Sequence, residues 1–174
     1  MTSPSPSPPS MSMVSRTANL ILRILTFVFL IISLIILTTN TVTLVVNLVE
    51  LKVQFKDIYS YRYMLATIVI GFAYTLLQIA FTLYNVITGN KVLNIGDASL
   101  LFGFYGDKVI SYMLATGAAA GFASTKDLKP LFSGSGSADE FFNKGYASAS
   151  LLLFAFIFTA ISSVFSSYAL PNKI

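Results

Sequence analysis

Four stretches of the chain stay apolar for about the length of a bilayer, and the segments between them follow other periods. The first, residues 17–38, is an apolar run of about 21 residues, roughly 31 Å as a helix, which matches a hydrocarbon core. It is longer than the apolar part of a signal peptide and no small-residue cleavage site follows it, so it is expected to stay as a membrane helix. The second, residues 62–87, carries Tyr63 and Tyr84 about 31 Å apart, the spacing of two interfacial aromatic belts. The fourth, residues 146–169, has the same brackets in Tyr146 and Tyr168. The third is uninterrupted only from Val109 to Ala123, about 15 residues, short of the roughly 20 needed to span. Its helix therefore has to begin near residue 103 and run to 124, which draws Asp107 and Lys108 into the membrane.

Between the first two runs the period changes to two. Val49, Leu51, Val53 and Phe55 alternate with Glu50, Lys52 and Gln54, and Thr41–Val46 is rich in β-branched residues, so two strands joined near Asn47 are expected. The apolar side of that hairpin is expected to pack onto helix ends, leaving the polar side outward. The stretch from Ser124 to Lys144 contains Ser133-Gly134-Ser135-Gly136-Ser137, a flexible linker composition, followed by a short helical start at Ala138–Asn143. Residues 1–15 are Ser/Pro-rich without apolar periodicity and read as a disordered tail; residues 171–174 form a second, short one. The expected architecture is an all-α membrane protein, a four-transmembrane-helix bundle over residues 16–170 with a small β-hairpin in its first loop.

Composition narrows the chemistry. Of 174 residues, 55% are hydrophobic and only 10% charged, too apolar for an ordinary soluble domain. There is no cysteine and no histidine, so thiolate nucleophiles, imidazole bases and the usual zinc ligands are missing. No catalytic residue, metal site or cofactor is expected, and the protein is read as no enzyme. The 11 Lys and Arg never form a run, which leaves nucleic acid without a patch to bind. Sidedness is poorly marked. Arg16, Lys91 and Lys173 fall on one side of the spans and Lys52, Lys56, Arg62, Lys126, Lys129 and Lys144 on the other, which taken alone points mildly to external termini.

The residues that stand out are charges in apolar surroundings. Arg23 lies about 9 Å into the first span and Asp107 one to two turns into the third. In a four-span hairpin the first and third helices run parallel, so both charges sit near one membrane face, and an Arg23–Asp107 pair would satisfy two groups otherwise stranded in lipid. The bland alternative is that Arg23 snorkels to headgroups while Asp107 caps its helix. From Asp107 a ridge at four-residue spacing continues through Ser111, Ala115 and Ala119, beside the small pair Gly117 and Gly121. Such faces serve packing within one bundle or join protomers, and the pattern does not divide the two. A small ion or proton channel or transporter is the alternative function; Gln78 alone adds a polar group deeper in the membrane.

Several of these residues carry a resemblance. Phe104-Tyr105-Gly106-Asp107-Lys108-Val109-Ile110-Ser111-Tyr112-Met113-Leu114-Ala115, with Arg23 in the first span, Tyr61-Arg62-Tyr63 opening the second and Lys144-Gly145-Tyr146-Ala147-Ser148-Ala149-Ser150 opening the fourth, resembles the plant Casparian strip membrane domain-like proteins, nearest their 4D-type subgroup. A basic residue in the first span with an Asp in the third is shared with the related MARVEL proteins. The resemblance implies a plasma-membrane protein with four helices and both termini cytosolic, which puts the hairpin outside the cell. It further implies homo- and hetero-oligomers with related family members, forming membrane scaffolds that organise local cell-wall modification. Residues 42–59 do not look like the signature stretch of the Casparian strip proteins proper, and 124–144 holds no cysteine, so the resemblance does not extend to the Casparian strip itself.

Overall fold

The computed structural model describes residues 13–46, 49–87, 96–132 and 136–168. Helix α1 is Met13–Thr38, followed by strands β1 (Thr41–Val46) and β2 (Val49–Gln54), a 3-10 turn at Phe55–Asp57, α2 (Tyr59–Ile87), α3 (Gly96–Leu128), a second 3-10 turn at Lys129–Phe132, and α4 (Gly136–Tyr168). Each helix packs on its neighbours in the order α1–α2–α3–α4 and α4 closes back on α1, so α1 faces α3 and α2 faces α4 across the centre. The expected four-helix membrane bundle with a two-stranded antiparallel hairpin is the architecture found.

The inward face of each helix explains the arrangement. On α1 the buried residues are Arg23, Thr26, Leu30, Ser33 and Leu37, alternating three and four apart, the 3.5-residue seam of nearly parallel packed helices. On α2 they are Tyr61, Met64, Thr67, Ile68, Gly71, Thr75 and Gln78. The outward faces carry Ile24, Val28, Ile32 and Ile35 on α1, Val69, Ile70, Leu76 and Phe81 on α2, and Phe154, Ile157, Ile161 and Val164 on α4, side chains suited to acyl chains. Thr17–Thr38, Tyr59–Tyr84 and Ala138–Ser167 are long and apolar enough to cross a membrane. Helix α3 falls below that hydropathy because its residues are small and polar, and it lies along α2 and α4.

Two boundaries differ from the sequence expectation. Helix α3 begins at Gly96 rather than near 103, and α4 begins at Gly136, ten residues before 146. The described residues between Ser124 and Lys144 are therefore mostly helical, and the helical start expected at Ala138–Asn143 is part of α4. Ala138, Phe141 and Phe142 are buried at helical spacing in the first turns of α4, Asp139 sits in its first turn, and Lys144 pairs with Glu140 one turn earlier at 2.8 Å. Gly136 and Ser137 obscured the first turn of α4. The tails expected at 1–15 and 171–174 lie outside the described residues, except that 13–15 belong to the first turn of α1, and so do Asn47 and Ser133–Ser135.

In the hairpin Val42 pairs with Val53, Leu44 with Leu51 and Val46 with Val49. Val42 is buried, Val53 and Phe55 are half-buried and Lys52 is exposed, while β1 touches α4. Of Val49 and Leu51 the structure describes the strand register only. Asn40 anchors the hairpin to the bundle: its Nδ2 donates to Phe141 O at 2.8 Å, and its carbonyl accepts the Phe55 amide at 3.3 Å.

Candidate functional site

Six residues into the first span from Thr17, six back from Tyr84 and five back from Ser167 are all about 8–9 Å from the same end of the bundle. Those positions are Arg23, Gln78 and Ser162, and Asp107 of α3 joins them. Arg23 Nη2 stands 3.2 Å from Asp107 Oδ2, both side chains at least nine-tenths buried, spanning the diagonal from α1 to α3. Arg23 Nη1 donates to Gln78 Oε1. Gln78 Nε2 donates to the Tyr74 hydroxyl at 2.7 Å, and Tyr74 in turn donates to Asp107 Oδ1 at 2.7 Å. The four side chains thus close a ring, from Arg23 through Gln78 and Tyr74 to Asp107 and back. Ser162 of α4 adds a bond to Asp107 Oδ2 at 3.2 Å and meets Asn19 Oδ1.

This arrangement answers the cost of burying two charges. A carboxylate with two oxygens accepts from Tyr74, Arg23 and Ser162, so its lone pairs are used, and the guanidinium has partners on both terminal nitrogens. The ring draws on α1, α2 and α3, with Ser162 from α4, so every helix has a polar stake in one layer. Gly106 makes it fit: a Cβ there would come within 2.7 Å of the Tyr74 ring, so only glycine lets Tyr74 lie across α3 to reach Asp107. Lys108 points away from this layer, its ammonium 4.4 Å above the Phe104 ring.

The small residues of α3 divide into two groups. Gly117 and Gly121 are buried, and a Cβ on either would collide with Thr67 or Met64 of α2 and crowd Leu152 or Ala149 of α4. They pack within the bundle. Ser111 is also buried, with its hydroxyl donating to Lys108 O at 2.8 Å, whereas Ala115 is half-buried and Ala119 exposed. Four-residue steps advance by about 40° each, so the Ser111–Ala115–Ala119 ridge rotates out of the core.

At the opposite end the buried polar contacts described are neutral, and the ion pair Lys144–Glu140 lies at the surface. Ser33 and Ser148 exchange hydroxyl-to-carbonyl bonds, each 2.9 Å, and the Tyr61 hydroxyl meets Thr125 Oγ1 at 2.8 Å over Gly145. Between the two ends Leu30, Ile68, Leu114 and Leu152 are fully buried and contiguous in the core.

Sequence reasoning did not single out Tyr74, Gly106 or Asn40. Tyr74 stands four residues before Gln78, hence on the same helix face, and that spacing was the available signal.

A four-helix membrane bundle with a basic residue of its first helix bonded to an acidic residue of its third is the class that this geometry defines. The Casparian strip membrane protein domain matches residues 12–158. The chain belongs to that family. It is 71% identical over 167 residues to a CASP-like protein 4D1 of Ricinus communis, covering 96% of this chain and 99% of that one. A CASP-like protein 4D1 of Populus trichocarpa is 60% identical over 97% of this chain and 98% of its own, and a CASP-like protein 4D2 of Arabidopsis thaliana is 51% identical over 99% of each. No solved structure matches the chain significantly.

Proposed function

We propose that this protein is a non-catalytic scaffold of the plasma membrane, both termini cytosolic, that associates with copies of itself and with related family members and so organises local wall modification. The observation that carries the reading is the outer face of α3. Where α1, α2 and α4 turn mainly Ile, Val, Leu and Phe outward, α3 turns out Val109 among Tyr105, Lys108, Tyr112, Thr116 and Ala119. Tyr hydroxyls and small side chains are poor company for acyl chains and good company for another helix, which they let approach closely. A channel is disfavoured by the Leu30–Ile68–Leu114–Leu152 layer, which separates the charged ring from the polar pairs at the other end.

Because the chain has no cysteine, single introduced thiols report contacts cleanly. Oxidative cross-linking in native membranes is expected to join copies carrying Ala119→Cys and not copies carrying Leu153→Cys on the outer face of α4. Monomers for both, together with selective ion flux in liposomes, would overturn the scaffold reading in favour of the channel. Protease protection of an N-terminal tag in sealed right-side-out vesicles tests the orientation; digestion of the tag from outside would reverse it.

A further inference from the structure

Arg23 has one nitrogen that the ring does not use. Its Nε is buried and has no hydrogen-bond partner among the described residues, although Nη1 and Nη2 are bonded to Gln78 and Asp107. A buried guanidinium N–H without an acceptor is expensive, and native proteins rarely leave one. Beside the ring lies a cavity of about 10 Å³ lined by Arg23, Thr26, Tyr74, Thr75, Gln78, Asp107, Thr159 and Ser162. We infer that this cavity is a binding site for a single structural water molecule, which accepts from Arg23 Nε of α1 and donates to the threonine hydroxyls of α2 and α4.

The chemistry of the lining fits a water and little else. Thr26 of α1 donates to Leu22 O at 2.9 Å, Thr75 of α2 to Gly71 O at 2.8 Å, and Thr159 of α4 to Ala155 O at 2.8 Å. Each hydroxyl has spent its one proton on its own helix, so what remains toward the cavity is acceptor capacity. The occupant must therefore accept from Nε–H and donate to threonine oxygens. Water does both, with three bonds in all, the usual number for a buried water. A metal cation is repelled by the guanidinium, and a halide cannot donate. The volume is at the threshold for one water, so two do not fit and nothing larger enters. Bound there, the water ties α1 to α2 and α4 just beneath the ring and completes the partners of Arg23. The site is independent of whether the protein assembles.

Solid-state NMR on the full chain in lipid bilayers tests this. Replacing Arg16→Lys and Arg62→Lys leaves Arg23 as the sole arginine, so its 15Nε signal is unambiguous. Magnetisation transfer from water to Arg23 Nε–H is expected. It should persist in Thr75→Ser, which keeps the acceptor, and fall several-fold in the Thr75→Val, Thr159→Val variant, which replaces hydroxyls by methyls, while the Arg23 Nη signals stay unchanged. No transfer to Nε in the single-arginine protein would overturn the site, and so would undiminished transfer in the valine variant. Should the double substitution fail to fold, Thr159→Val alone is read in the same way.

Discussion

The two ends of the bundle hold polar groups in the same apolar medium by different means. At the end shared by the start of α1 and the end of α4, Arg23 and Asp107 are formally charged and every partner is a side chain reaching across the bundle. At the hairpin end the buried contacts are neutral and partly redundant: the Thr125 hydroxyl bonds Gly121 O of its own helix at 2.6 Å besides Tyr61, and Ser33 and Ser148 each reach the other's backbone. A charge stranded in low dielectric is costly, whereas a hydroxyl that loses a partner turns to its own helix. The charged end is thus expected to specify which helices meet and at what height, and the neutral end to fill space around Tyr61, Phe141 and Phe142, whose rings meet tilted at 6.0 Å and edge-on at 5.3 Å.

That contrast orders the substitutions. Asp107→Asn should cost most, about 3–5 kcal/mol, because it leaves the Arg23 guanidinium buried without a counter-charge. Reversible unfolding in bicelles measures it, and a loss below about 1 kcal/mol would place Arg23 in the headgroups instead. Gly117→Ala comes next at about 1–3 kcal/mol, since the new methyl meets Thr67 and Leu152 and forces α3 from its neighbours. Ala119→Leu, two residues on and facing outward, should leave the unfolding midpoint in place, which separates packing within the bundle from contacts outside it. Tyr74→Phe removes one link of the ring and is expected to cost about 1–2 kcal/mol, read by the same unfolding. Ser33→Ala at the neutral end is the smallest, about 0.6 kcal/mol, typical of a hydrogen bond between membrane helices. If Ser33→Ala cost as much as Asp107→Asn, the distinction between the two ends would collapse.

Much of this layout is legible in the chain. Apolar run lengths mark the helices, Val49–Gln54 alternates as a strand must although Phe55, expected in that strand, opens the 3-10 turn instead, and Arg23 and Asp107 stand out because lipid makes charge conspicuous. What stays hidden is which apolar residues face inward. Leu30 is buried and Ile32 faces lipid, yet both media are oily, so the periodicity that reveals a core in water is weak here. Tyr74 reads as one more aromatic in an apolar run, and Gly106 as helix-weakening, until Tyr74 is seen lying across the glycine. The helical start at Ala138–Asn143 is legible, but its first turn at Gly136 and Ser137 is masked by their weak helix propensity, and its continuity with the fourth span rests on the burial of Phe141 and Phe142. The ridge Ser111–Ala115–Ala119 looked continuous because spacing alone does not show a slow rotation around the helix.

The central claim is that Arg23 and Asp107 act as one unit clamping α1 to α3. A double-mutant cycle with Arg23→Leu and Asp107→Asn, read by reversible unfolding in a bilayer, isolates their interaction from the separate cost of each change. The account predicts that the double variant is no less stable than either single one, a coupling of at least about 2 kcal/mol. Additive losses would mean that the two charges act separately, and the ring would then be no clamp.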